Sequence, residues 1–461
     1  MTTPKAPGFE NDVPEVAAVA PRTRLVFGAD YWCRQDNPHE MVLDGSAEVD
    51  RLEWFDAFCR SHENPVQVVR IQTFHWAMYK QQVPALAAAL GALSGLRQVY
   101  FCKFSHDAAE YDVVSQVLLA TRNVVEHVSI SCDNDQAFGN NHNSQHEQAW
   151  CHALRQCEQL RVLHLDCRAG ILLNALSKVP LYNPHLQEVC LRSARVTQTL
   201  QAHDVQYLVE LPFLERIKLE RFVWTPQASQ VLTEFFDQAS PHLTHLELPH
   251  CRWDGTATSM PKNFLVVLPI TLEHLNLRDC QLNDVDLHVL SKRIMHTPRL
   301  VYLNLADNPT LTDSSVCQLW NTLPKVDSMR HLDLQRTNLS PATVSQIIKE
   351  KPTFPSLQTL HVDRNDTSRP WTAEECHGVA QTLVQHATWV DLGEQWEAAH
   401  PDQPLWHAVD RLLWLNRSGR AHVLAGHADQ AEFLGRISAD LVGTFLHLQH
   451  DAAGLGLFSS P

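Results

Sequence analysis

Positive charge is scarce in this chain of 461 residues: Lys and Arg total 37 against 52 Asp and Glu, a formal charge of −15. That balance argues against nonspecific binding to nucleic acid or to an anionic membrane surface, and makes a basic protein the more natural partner. Long apolar runs are also lacking. The most apolar stretch, Val83 to Leu96, is Ala-rich and falls short of the ~20 residues a spanning helix needs. The opening MTTPKAPGFENDVPEVAAVAP is polar and Pro-rich, without the apolar core of a secretory leader, so a cytoplasmic or nuclear protein is expected. Twelve cysteines are present, but they form no C-x-x-C pair and no zinc-ribbon or zinc-finger spacing; reduced, mostly buried thiols are expected. The phosphate-binding G-x-x-x-x-G-K-[ST], the dinucleotide G-x-G-x-x-G, the G-x-S-x-G elbow and the kinase motifs are missing too. H-E-x-x-H is absent, because the next histidine after His146-Glu147 is His152, at the wrong offset. A noncatalytic chain with no cofactor follows as the expectation. Charged residues make up only 19% and hydrophobic ones 44%, which argues against general disorder and leaves enough apolar surface for a large core.

What the chain does have is an internal repeat. Eight segments carry L-x-x-L-x-L or a close variant, starting at Leu160, Leu186, Leu214, Leu243, Leu272, Leu300, Met329 and Leu357, at intervals of 26, 28, 29, 29, 28, 29 and 28 residues. Degenerate copies stand upstream at Val66/Val69/Ile71, Leu96/Val99/Phe101 and Val125/Val128/Ile130, and downstream at Ala387/Val390/Leu392, for about twelve repeats. Each motif reads as a short strand. Counting the first apolar residue as offset 0, offsets 0, 3 and 5 face the interior, and offsets 2, 4 and 6 face the opposite way. Offset 8 holds Cys251, Cys280, Asn308 and Asn365, where a buried side chain can bond the turning backbone. Leu282 and Leu339 fill offset 10. The second half of each repeat reads as helix, with starts at Thr225-Pro226, Asn283-Asp284, Thr312-Asp313, Ser340-Pro341 and Thr372, and apolar residues every three to four positions beyond.

Strand plus helix in about 29 residues resembles the ribonuclease-inhibitor class of leucine-rich repeat. Relatives of that class include ribonuclease inhibitor itself, Ran GTPase activators and the sensor ends of NOD-like receptors. The resemblance covers Val66 to Leu392 and is strongest from Leu160 to Val362. It implies an α/β leucine-rich repeat solenoid, a horseshoe with parallel strands on the concave face and helices on the convex face. The chain departs from the pattern at offset 8, where Ala194, Phe222 and Thr337 stand. The string Leu415-Asn416-Arg417-Ser418-Gly419-Arg420 resembles a tail found in leucine-rich-repeat proteins of diatoms and related algae, and implies lineage rather than chemistry.

The expected organisation is a disordered tail at 1–20, an N-terminal cap at 21–62, repeats from 63 to 395 and a C-terminal helical cap at 396–461. The step of 35 from Val125 to Leu160 marks an insertion, read as a surface loop over the polar run 133–148.

The outward offsets are rich in histidine, of which the chain has 27. His127, His245, His274 and His331 fall at offset 2, with Tyr302 in the same row; offset 4 adds His164, Lys218, Glu247, Asn276, Asn304, Asp333 and His361; offset 6 adds Asp166, Arg192, Glu220, Arg278, Gln335 and Asp363. Strands ~4.8 Å apart stack residues of equal offset into rows. Of these, His164, Lys218, His245, Glu247, His274, Asn276, Tyr302, Asn304, His331, Asp333, His361 and Asp363 are the candidate partner-binding residues. The functional expectation is a noncatalytic scaffold, a monomer, gripping a partner protein on its concave face. A Ran-type GTPase activator is the first alternative, and a metal-dependent enzyme using His245, His274 and Glu247 the second. Histidines on one face would make affinity change between about pH 5.5 and 7.5. His142, His146, His152, Asp133 and Asp135 form a looser cluster in the insertion, and Cys102 and Cys190 are expected to point into the groove without activation.

Overall fold

The computed structural model describes residues 39–43, 52–61, 64–102, 104, 108–131, 144–167, 183–193, 198–237, 242–253, 260–323, 326–350, 354 and 356–364. The tail, residues 133–143 of the insertion, Asn365, the helix expected after Thr372, the strand expected at Ala387–Leu392 and the segment 396–461 with its algal-type string lie outside these residues. The described residues form two compact units, one ending at Gln159 and one beginning at Leu160.

The first unit holds four parallel strands, β1 (Glu40–Leu43), β2 (Val68–Gln72), β3 (Gln98–Cys102) and β4 (His127–Ser131), joined in chain order. Its helices are α1 (Leu52–Cys59), α2 (Thr73–Met78), α3 (Val83–Gly91), α4 (Ala108–Thr121) and α5 (Ser144–Arg155). The degenerate repeats keep the expected register: Val69 pairs with Val99 and Ile71 with Phe101, all fully buried. Two findings go beyond the sequence reading. Within 21–62, β1 is itself a repeat-type strand, with Met41 opposite Val69 and Leu43 opposite Ile71. Its first apolar position is Pro38, which broke the pattern in the sequence. And α5 begins at Ser144, so the end of the polar run read as loop is helical; Trp150, Cys151, Ala153 and Leu154, buried further along it, supply the apolar stripe that holds it.

The second unit stacks eight parallel strands in chain order: β5 (Val162–Cys167), β6 (Glu188–Ser193), β8 (Arg216–Glu220), β10 (His245–Glu247), β12 (His274–Asn276), β13 (Tyr302–Asn304), β14 (His331–Thr337) and β15 (Thr359–Arg364). Between them run α6 (Ala202–Val209), α7 (Pro226–Asp237), α8 (Lys262–Val266), α9 (Asp284–Ile294), α10 (Asp313–Thr322) and α11 (Pro341–Glu350). From Leu160 to Val362, every residue at offsets 0, 3 and 5 is buried, none more than 4% exposed. These leucines stack between sheet and helices and supply the main hydrophobic stabilisation, about 1.5–3 kcal/mol for each fully buried side chain.

The helix starts at Pro226, Asp284, Asp313 and Pro341 fall where the sequence placed them. Asn283 caps α9 by accepting from the N–H groups of Val285 (2.9 Å) and Asp286 (3.1 Å), and Asp286 accepts in return from Asn283 N–H. Thr225 Oγ1 accepts from Ala228 N–H, and Ser340 Oγ from Thr343 N–H. One element was not anticipated. A second parallel sheet of β7 (Gln198–Leu200), β9 (Phe222–Trp224) and β11 (Arg252–Trp253) runs between strand and helix in three consecutive repeats. It follows from Phe222 at offset 8 and from Trp224 and Trp253 at offset 10. Aromatic side chains there pack ring on ring (Trp224–Trp253 centroids 5.3 Å apart, Trp253–Phe264 5.8 Å) and hold the chain extended.

Candidate binding face

Parallel in-register pairing turns equal offsets into continuous rows on the sheet face turned away from the helices. The offset-2 row of the second unit runs Val162, Glu188, Arg216, His245, His274, Tyr302, His331, Thr359. The offset-4 row runs His164, Cys190, Lys218, Glu247, Asn276, Asn304, Asp333, His361. Eleven of the twelve candidate residues therefore stand in two adjacent rows. Asp363 lies on β15, its side chain outside the described set. Glu188, Arg216 and Thr359 share the offset-2 row but were passed over in the sequence; their offset was the signal.

The face has two chemically different halves. Over β5 to β8 it is a lattice of mutually paired charges. His164 Nε2 meets Glu188 at 2.9 Å, Arg192 lies between Asp166 (3.3 Å) and Glu220 (3.0 Å), Arg216 reaches Glu188 at 3.7 Å, and Lys218 sits between Glu220 (3.7 Å) and Glu247 (3.5 Å). Cys190 lies within this lattice, and burial pushes its thiol up to about 12, so it stays protonated and unreactive at neutral pH. Among the described side chains of the three outward rows, five carboxylates (Asp166, Glu188, Glu220, Glu247, Asp333) stand with four permanent cations (Arg192, Arg216, Lys218, Arg278). The described face is thus close to neutral, and the −15 of the whole chain is not concentrated there.

Over β10 to β14 the offset-2 row becomes a stack of rings. His245 and His274 are 5.2 Å apart at 15°, His274 and Tyr302 3.9 Å at 7°, and Tyr302 and His331 6.2 Å at 44°. The first two pairs meet face to face, and the third is tilted. Burial pushes the His274 imidazole down to about 4, aided by His245, Arg216 and His331 and opposed by Glu247. Burial lowers His245 and His331 as well, with Arg216 assisting at His245 and His361 and Arg330 at His331. The stack is neutral at pH 7, which moves the expected histidine-dependent change in affinity to the acid side of the 5.5–7.5 window. Thr244 Oγ1 lies 2.8 Å from His245 Nδ1 and 3.3 Å from the Glu215 carbonyl oxygen, and so ties the His245 ring to the preceding strand.

The offset-4 row beside the stack repeats one local turn. Asn276, Asn304 and Asp333 each turn Oδ1 back onto the N–H two residues on, at Arg278 (3.1 Å), Ala306 (2.9 Å) and Gln335 (3.0 Å). Asn304 also donates from Nδ2 to Tyr302 Oη (3.1 Å) and is only 5% exposed. It holds the Tyr302 hydroxyl from the adjacent row.

The rows are held by the turn at offsets 7 and 8. Arg221, His250, Asp279, Asp307 and Arg336 all stand at offset 7 with φ between 49° and 64°, the left-handed region. At offset 8 a buried side chain donates into the preceding repeat: Cys251 Sγ to Leu219 O (3.1 Å), Cys280 Sγ to Leu248 O (2.9 Å) and Asn308 Nδ2 to Leu277 O (3.0 Å). Asn308 Oδ1 further accepts from the N–H groups of Cys280 and Leu282, both at 3.0 Å. Burial raises the thiols of Cys251, to about 11, and of Cys280, so both are structural.

The geometry does not suit the metal alternative. Imidazole lone pairs lie in the ring plane, so stacked His245 and His274 aim theirs side by side rather than at one ion, and Glu247 stays 3.9 Å from His274 Nε2. Among the described residues no group of three His, Cys, Asp or Glu is placed to hold a metal. Of the looser cluster in the insertion, only the His152 side chain is described, and it bonds Gln156. In the first unit the same face carries Arg70, paired with Glu40 (2.5 Å) and lying 4.1 Å over the Tyr100 ring, with His127 5.1 Å from that ring. No described helix is long and apolar enough to cross a membrane.

A leucine-rich repeat family model matches residues 269–291, which span β12 and most of α9. The fold is a leucine-rich repeat solenoid. The leucine-rich repeat chain is similar to solved structures at low identity: the yeast Rad7–Elc1 complex (12% identity, TM-score 0.35, 68% of this chain and 72% of that one) and an internalin, InlF, of Listeria monocytogenes (13%, 0.36, 66% and 82%). A leucine-rich repeat-containing protein of Legionella pneumophila, LegL7, is similar at 12% identity, TM-score 0.31, over 81% of this chain and 97% of that one. No curated protein matches the chain.

Proposed function

We propose that this leucine-rich repeat chain is a noncatalytic scaffold of the ribonuclease-inhibitor class that binds a partner protein on the outward rows of β5 to β15. The repeat length of 26 to 29 residues, strand followed by helix, supports the class. The observation that carries the function is the ring stack His245–His274–Tyr302–His331. Half-buried aromatic and imidazole groups stand in a row on a rigid sheet whose other face is filled by leucine, and such groups are what binding hot spots are made of. The eight described cysteines are free thiols, which supports a reducing compartment, cytoplasm or nucleus.

The test is affinity capture from the source cell with wild type, Tyr302→Ala, and Val285→Ser on the exposed side of α9. Partners retained by Val285→Ser and lost from Tyr302→Ala are the expected result. Identical captures by all three would remove the face from the function.

A further inference from the structure

Resting on the reading of this face as a protein-binding surface, we infer that its contact area is the ring-stack half, β10 to β14, and that the partner presents arginine side chains there. Two observations lead to this, and a third supplies its test.

The first concerns where binding energy is available. In the β5–β8 half each charged group already has an oppositely charged neighbour on an adjacent strand. A partner covering that lattice would desolvate paired ions for little return. The stack half has rings already partly withdrawn from water, and covering them completes the burial.

The second is hydrogen-bond polarity. The acceptors of this half are carboxylate oxygens in the offset-4 row beside the rings. Glu247, whose Oε2 is 3.5 Å from Lys218, closes one end of the offset-4 row with Oε1, 3.9 Å from His274 Nε2, and Asp333, with Oδ1 committed to Gln335 N–H, closes the other with a second carboxylate oxygen. The permanent cation of this half, Arg278, is bound to Asp307 at 2.6 Å. Acceptors therefore stand at both margins of the stack, about 14 Å apart across three strand spacings. A guanidinium, with five N–H donors in a planar fork and weak hydration, fits such margins better than a compact ammonium.

The third is the sign of the acid response. Three imidazoles lie in contact with one another or with Tyr302, faced by Arg216, Glu247, Glu273, Glu188, Arg330, Asp333 and His361. Acidification makes this row more cationic. A cationic partner is then released, and an anionic one is drawn in. The direction of the pH effect therefore reports the charge of the occupant.

The experiment uses the full chain and fluorescent peptides alternating glycine with arginine, lysine, glutamine or glutamate, followed by anisotropy at physiological salt. The arginine peptide should bind tightest, weaken at least about tenfold on Asp333→Asn with Tyr302→Ala, and weaken again as the pH is lowered towards about 4.5. Glu234→Gln, which removes the same charge from the helix α7, should leave it unchanged. Equal binding of the glutamine or glutamate peptide, equal weakening by Glu234→Gln, or tightening in acid would overturn the assignment. Thermal melts of each variant separate lost binding from lost folding. If cell-derived partners still depend on Tyr302 while the arginine peptide does not bind, the partner chemistry is wrong and the binding face stands; if neither depends on it, both fall.

Discussion

At the scale of single residues, burial sorts side chains that sit next to each other in the chain. Leu275 is 1% exposed beneath the sheet and His274 stands above it, so Leu275→Ala should cost about 2–5 kcal/mol in urea denaturation and His274→Ala distinctly less. Asn308 is fully buried and serves five backbone groups with its two amide atoms. Asn308→Ala strands several of them at once and should cost about 3–5 kcal/mol, whereas Cys280→Ala, which removes weak thiol bonds, should cost about 1 kcal/mol. The His274 ring also sets a pH dependence of stability. Its folded value of about 4 lies below the ordinary 6.5, so as pH falls the unfolded chain takes up the proton first. Stability should decline from about pH 6.5 to 4, by ~1–3 kcal/mol, and then level off. Removing the titrating ring by His274→Gln should flatten that part of the urea midpoint–pH curve.

At the scale of elements, helices and strands were legible wherever the apolar period was intact. Leucines at offsets 0, 3 and 5 and caps such as Asn283 and Ser340 state their roles locally. Asn283→Ala should lower stability by about 1 kcal/mol and speed amide exchange in the first turn of α9 ahead of its last. The small sheet of β7, β9 and β11 was not legible, because offset 10 was read as aliphatic from Leu282 and Leu339 while Trp224 and Trp253 stand there too. Nor was β1, whose leading apolar position is a proline. The close approach of α3 to α4 was equally hidden: a Cβ on Gly91 would lie 2.8 Å from the Ala120 carbonyl oxygen. Gly91→Ala, favourable in an isolated helix, should instead destabilise the first unit by about 1–3 kcal/mol in a thermal melt.

At the scale of the whole molecule, the candidate face was legible as rows because parallel pairing keeps equal offsets together. Its chemistry was only half legible. Sequence gives which rings share a row, but not that His245, His274 and Tyr302 stack face to face, nor that burial holds the imidazoles neutral. It gives a net charge of −15, but not that the outward rows are nearly balanced. In a repeat array, contacts run mainly between neighbours, so damage spreads along the stack and fades. Leu275→Ala should therefore raise hydrogen exchange most in β10, β12 and β13 and leave β2 to β4 of the other unit unchanged.

The left-handed turn at offset 7 carries one more implication. Its N–H groups reach the next turn, as from His250 to Arg278, Asp279 to Ala306 and Asp307 to Gln335, so the backbone ladder continues round the bend after the strands end. Strand and bend thus form one indivisible module, and added or deleted residues can be absorbed only on the far side of it. Anyone grafting a loop into this protein, or shuffling its repeats, has natural splice points on the helical stretch and none between the first leucine and the bend.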